Sequence, residues 1–350
     1  MLLPTFAAFV AASTAVLIFA GGLVTSTGSG LSVPDWPNTY GWFMWAFPIS
    51  KMVGGIFYEH AHRLVASIVG FLIVVLAIWL GRAEPRRWVR RLGYLAVGAV
   101  VAQGILGGIT VLWHLPDAIS IAHASLAQIV FCLTVTIALA TSPGWKKGYA
   151  RHDFVEADLL VRPAPDDRTL RRLAIATTAV IYLQILMGAT MRHTGAGLAI
   201  PDFPLSFGHL IPPHWDSKIA IHFAHRVGAA TVTMLVGATT AHVFFYHGRR
   251  AELRRPAILL LALLALQITL GALTVLSHKQ FIINSLHVVN GALVLVTSLV
   301  LALRAHRSRF ADFAGSAQRD GDAGSAQRDQ AGNESVVRGA GPWTRRGARA

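Results

Sequence analysis

Four histidines lie inside apolar stretches of this chain, His62, His123, His225 and His287. An ionisable side chain in a membrane-length apolar run is costly to keep and marks a functional site by default. Imidazole is a ligand for heme iron, zinc or copper. Zinc takes three or four protein ligands. Each half of this chain offers two histidines, no cysteine ligand and few inward carboxylates. Heme needs only two axial imidazoles, because the porphyrin supplies the other four nitrogens. The plain alternative for any one of these residues is a satisfied polar group between helices. That reading weakens once all four recur as matched pairs.

The recurrence is explicit in the sequence. Gln103, Gly107, Thr110-Val111-Leu112, His114 and His123 return, with no gap, as Gln267, Gly271, Thr274-Val275-Leu276, His278 and His287. Thr27-Gly28-Ser29-Gly30-Leu31 through Pro34-Asp35-Trp36-Pro37 returns as Thr194-Gly195-Ala196-Gly197-Leu198 through Pro201-Asp202-Phe203-Pro204. Glu59-His60-Ala61-His62-Arg63 is echoed by His222-Phe223-Ala224-His225-Arg226. A unit this long is no solenoid repeat. It predicts two related halves, each with its own histidine site.

Other residues qualify the site. Arg63 and Arg226 follow candidate ligands and are candidates for heme propionate contacts, since guanidinium pairs with carboxylates; pairing with Glu59 or a carbonyl is the other reading. Gly104, Gly107, Gly108 and Gly271 suit close helix packing and also leave room for a macrocycle. The Pro-Asp-aromatic-Pro loops read as lids over the sites or as plain surface caps. The halves differ where Glu59 stands against His222. Glu59 lies one turn before His62, so it is the candidate acid or base of the first half. One half then only holds its cofactor and the other also acts on what it binds.

These residues need membrane helices to position them. The chain is 54% hydrophobic and 14% charged, against about a quarter charged in soluble domains. Eight spans of the required length fall at roughly 4–25, 53–80, 92–113, 119–141, 173–193, 218–247, 256–277 and 282–303. The fold class is an all-α integral membrane protein, eight transmembrane helices in two pseudo-symmetric four-helix bundles. The first run lacks the pattern of a cleaved signal peptide and reads as a retained span. Cys132, the one cysteine, excludes an intrachain disulfide and a cysteine metal cage.

The net charge of +14 is confined to alternate loops and the tail, so it argues for topology and against nucleic acid. Loop 81–91 carries five arginines, and loops 142–172 and 248–255 are also basic, whereas loops 26–52, 114–118, 194–217 and 278–281 carry almost no Lys or Arg. The positive-inside rule puts both termini in the cytoplasm. At 1.5 Å per residue the four histidines then lie roughly 7–15 Å below the outer surface. The expected organisation is residues 1–141 as the N-terminal bundle, 142–172 as a cytoplasmic linker, 173–303 as the C-terminal bundle and 304–350 as a disordered basic cytoplasmic tail.

Taken together, Glu59-x-x-His62-Arg63, His123, His225-Arg226 and His287 on eight spans resemble the heme A synthase family. The Gly21-Gly22-Leu23-Val24-Thr25 and Thr27-Gly28-Ser29-Gly30-Leu31-Ser32 stretches agree, and the resemblance covers about residues 5–303. It implies an oxidoreductase that converts heme O to heme A, oxidising a ring methyl to a formyl group by successive hydroxylations with water as the oxygen source. It implies a permanent heme b on His225 and His287, heme O bound through His62 and His123, and Glu59 in catalysis. It further implies a place in the cell inner (plasma) membrane and partners among heme O synthase and terminal oxidase assembly factors, with a homo-oligomer left open. The chain departs from many bacterial members in lacking a cysteine pair in its first outer loop, where Asp35, Trp36, Asn38 and Tyr40 stand instead.

Two other classes stay open at this point. A bis-histidine diheme cytochrome would pass electrons and modify nothing, and Glu59 speaks against it. A transporter with parallel repeats would be colourless, and its spans would not need matched histidines.

Overall fold

The computed structural model describes residues 2–146 and 167–307. All eight predicted spans are helices, and among the described residues there is no β-strand. In chain order they are α1 (Leu2–Ser26), α2 (Gly55–Ala83), α3 (Arg87–Leu112), α4 (Asp117–Thr141), the single turn α5 (Pro143–Lys146), α6 (Arg168–His193), α7 (Ser217–His247), α8 (Ala251–Leu276) and α9 (Phe281–Ala305). The eight long helices are apolar enough to cross a membrane. Helices α3, α6 and α8 begin about a turn before the apolar runs do. Their first turns are rich in Arg and Leu, which favour helix, and long basic side chains can reach back to the interface. Most of the expected linker, residues 147–166, and the expected tail from residue 308 lie outside the described residues.

In the first half α1 packs on α2 and α4, and α3 packs on α2 and α4. In the second half α6 packs on α7 and α9, and α8 on α7 and α9. The halves meet where α1 lies on α9 and α4 lies on α6 and α9. Ile18, Phe131, Ala292 and Val296 form the buried core of that seam. Cys132 is a free thiol packed against this cluster and against the core of the second half. Phe71, Leu95, Met234 and Phe245 remain exposed on outer faces. So large an apolar surface is one a bilayer solvates.

Between lipid-facing helices apolar surface gives no association energy, so small residues and polar links hold the bundle. Thr177 meets Thr239 at 2.7 Å and Thr178 meets Ser298 at 2.8 Å. Near the loop-bearing end of the seam, Arg192 donates to Gly22 O at 3.0 Å and Ser26 Oγ at 2.7 Å, and Asn284 donates to the same Ser26. At the far end of the first half, Glu84 is ion-paired with Arg86 at 2.6 Å and Lys146 at 3.3 Å. Arg86 also donates to Ala140 O, which ties the α2–α3 turn to the end of α4.

Candidate functional site

The four histidines project from α2, α4, α7 and α9, each within the first three turns of its helix. His62 lies within electrostatic reach of His123, and His225 within reach of His287. Each ring rests on a glycine of a neighbouring helix. A β-carbon would lie 3.1 Å from His62 Cε1 at Gly21, 3.2 Å from His123 Cε1 at Gly107, 3.0 Å from His225 Cε1 at Gly188 and 3.1 Å from His287 Cε1 at Gly271. Alanine at any of these places would push the imidazole. The recurrent glycines are therefore seats for the four rings, a role the spacing alone did not reveal.

Glutamines make up a second layer. Gln103 donates to His123 O at 2.9 Å with its amide 3.4 Å from His123 Nε2. Gln267 treats His287 the same way, at 3.1 Å and 3.3 Å. Gln184 donates to His225 O at 2.8 Å and stands 3.0 Å from His225 Nδ1. The first half has no equivalent of that last contact, because Leu17 occupies the matching place in α1. Gly228 makes room for Gln184, and its counterpart is Val65. A second difference follows the same line. Asn290 donates to Gln267 Oε1 at 2.8 Å, whereas Leu126 stands at the matching place and Gln103 Oε1 is buried without a partner. The second half thus fixes its imidazoles through more bonds than the first.

The two loops are pinned to the helices by one repeated device. Glu59 Oε2 accepts from Val33 N at 2.8 Å, and His222 Nδ1 accepts from Ile200 N at 3.2 Å. Arg63 donates to Val33 O, Asp35 O and Asn38 O, and to Glu59 Oε1 at 2.6 Å. Arg226 donates to Ile200 O, Asp202 O and Leu205 O. Asp35 accepts from Tyr40 N and Gly41 N, and Asp202 from Phe207 N and Gly208 N. Burial pushes the Asp35 carboxyl up, but the Gly41 and Tyr40 amides and the Arg63 guanidinium hold it below its ordinary value. Both arginines named as propionate candidates thus spend their guanidinium groups on loop carbonyls. In the first half the loop also reaches the site itself. Trp36 lies where a β-carbon on Gly108 would be 2.7 Å from its Cδ2, next to the seat of His123. His60, buried on α2, adds a 3.0 Å contact from Nδ1 to Thr39 Oγ1.

Sequence reasoning missed a positive cluster beside the second pair. Lys279, in the short turn before α9, has φ 64°. Burial, with Arg192 and Lys218 nearby, holds its ammonium below the ordinary value. Arg192 also lies within electrostatic reach of His287. These cations suit an anionic group near the loop end of the second half.

The donor set fits an iron porphyrin. Each half presents two imidazoles, and the buried Nδ1 atoms of His62, His123 and His287 have no hydrogen-bond partner. Glu59, the carboxylate beside His62, is already taken by Arg63 and the Val33 amide. Two imidazoles without further ligands are too few for a structural zinc and sufficient for a heme.

The chain matches the cytochrome oxidase assembly protein family over residues 4–300. It is 34% identical over 287 residues to a heme A synthase of Symbiobacterium thermophilum, covering 79% of this chain and 87% of that protein. It is 28% identical over 311 residues to a heme A synthase of Geobacillus kaustophilus, covering 86% and 92% of the two chains. A heme A synthase of Lysinibacillus sphaericus is 26% identical over 276 residues, 78% of this chain and 85% of the relative.

Proposed function

This chain belongs to the heme A synthase family, and on that premise we propose that it oxidises a ring methyl of heme O to the formyl group of heme A. The observation that carries the reading is a pair of glycine-seated histidines in each half, with the second half adding Gln184 on His225 and Asn290 behind Gln267. Residues 173–303 are then the holding half, with heme b on His225 and His287. Residues 1–141 are the reacting half, with heme O as substrate on His62 and His123. A cofactor that stays is best served by fixed ligands, since partners behind the ligands raise metal affinity. A substrate that must leave is served by fewer.

Each hydroxylation joins one water oxygen to the methyl carbon and removes two electrons and two protons. The second gives a geminal diol, which loses water to leave the formyl group. The electrons pass to an external one-electron acceptor, and heme b, when bound, supplies one-electron relay chemistry. Glu59 is the general base for the entering water, its carboxylate aimed by the Val33 amide and Arg63. Trp36 and the loop behind it keep bulk water from the reacting half. Arg63 and Arg226 fix the lids from which propionates would be met, and Arg192 and Lys279 add charge for the propionates of heme b. By the positive-inside rule the termini would lie in the cytoplasm, with the protein in the bacterial plasma membrane and the histidine pairs toward its outer face. Heme O synthase would supply the substrate, and terminal oxidase assembly would consume the product.

The test is heme extraction and chromatography after expression with a heme O source. Heme A alongside heme b is expected. Two identical hemes b with no heme A would leave an electron-transfer cytochrome instead.

A further inference from the structure

The end of α7 remote from the histidine pairs carries a second constellation that the proposed reaction does not use. Asp167 precedes α6 and caps it, its Oδ1 accepting from Leu170 N at 2.9 Å. Its other oxygen, Oδ2, faces His242 Nε2 at 2.7 Å and His247 Nε2 at 2.8 Å. The three ligand atoms all lie within 4.8 Å of one another. His247 is 4% exposed, and its Nδ1 is buried with no partner.

Hydrogen bonds alone explain this arrangement poorly. Both imidazoles must put their proton on Nε2 and aim it at one carboxylate oxygen. The buried Nδ1 of His247 is without a partner in either tautomer, so what marks the site is the convergence of two Nε2 atoms on one carboxylate oxygen. Two neutral imidazole nitrogens and one carboxylate oxygen converging on a point are, by contrast, the three-ligand set of a divalent zinc-class ion with one position left for water. Magnesium and calcium take oxygen ligands, so the two nitrogens select against them.

We infer that Asp167, His242 and His247 form a binding site for a divalent transition-metal cation of the zinc class, stapling the start of α6 to the end of α7. On loading, each neutral imidazole carries its proton on Nδ1 and gives its Nε2 lone pair to the metal, so two N–H···O bonds are exchanged for two metal–nitrogen bonds with no net proton released. The carboxylate keeps its cap on α6 through Oδ1. The site is independent of which heme occupies either half.

The test uses the full-length, heme-loaded protein without a polyhistidine tag, treated with chelator and dialysed against zinc chloride. Metal analysis is compared with H242A, H247A and D167N. The last keeps a side chain that can cap the helix but removes the anionic ligand. Wild type is expected to retain one zinc more per chain than any variant, with affinity falling at least tenfold in each. Its thermal midpoint should rise with zinc while that of H242A does not. Heme absorbance, unchanged throughout, reports that each variant is folded. Equal zinc in wild type and H242A, or none in wild type, would overturn the assignment. If H247A fails to fold, H242A and D167N decide the matter, because His242 is partly exposed.

Discussion

Glu59 and His222 stand at matching places and accept a hydrogen bond from matching loop amides, Val33 N and Ile200 N. The contrast that looks most telling in the sequence is therefore partly a shared latch. What Glu59 adds is a carboxylate, and glutamine separates the two roles. E59Q keeps an acceptor for Val33 N and removes the base. We expect it to retain heme b and heme O binding while product formation falls about 10²–10⁴-fold, measured by chromatography of extracted hemes. Unchanged heme A yield would reduce Glu59 to a latch. The deeper asymmetry lies in Gln184 and Asn290 against Leu17 and Leu126. Q184L is expected to weaken heme b retention by about 10–100-fold without displacing the helices, read as heme lost to apomyoglobin over time. The histidines were legible because an ionisable group in an apolar run stands out. The glutamines were not, because Gln is an ordinary helix former and Gln184 meets a partner 41 residues away.

At the scale of elements, the loops act as straps whose inner ends are carbonyls gripped by Arg63 and Arg226. The sequence motif reads as lids or as surface caps, and the repeated Asp, Arg and amide contacts are what hold the loops to the helices. It did not predict that Trp36 would lie on α3 at Gly108, a contact between segments far apart in the chain. G108A would place a β-carbon 2.7 Å from the indole and lift the loop from the first half. We expect lower product yield at normal heme b content, with a red-shifted tryptophan emission as water reaches the ring. The far-end clamp makes a pH prediction. Burial pushes Glu84 up, but Arg86 and Lys146 hold it below its ordinary value of 4.5. A carboxylate depressed in the folded state contributes stability above the unfolded value, and that contribution is lost as pH falls through the folded one. E84Q should therefore lower the stability in detergent at pH 7 by about 1 kcal/mol, read as a lower thermal midpoint. The difference from wild type should shrink as pH falls below 4.5. A gap that widens in acid would contradict the pairing.

Across the whole molecule, the eight spans and the pairing of halves could be read from hydropathy and repetition, because lipid-facing helices must be apolar and of bilayer length. Helices α3, α6 and α8 start about a turn before their apolar runs, where arginines extend the helix beyond what hydropathy marks. The seam between halves was not legible. Arg192 on α6 serves Gly22 and Ser26 on α1, a contact with no counterpart in the repeat, since Thr25 stands at its matching place. The halves are thus built alike, joined by unlike residues and seated with unequal firmness. The central claim is that the second half holds a resident heme b and the first half presents the substrate. It is tested most directly by the reduced-minus-oxidised absorbance spectrum of H62A beside H225A, each purified from cells supplied with heme O. The account predicts that H225A loses the heme b signal, while H62A keeps it and makes no heme A. Loss of heme b from H62A with retention in H225A would contradict it.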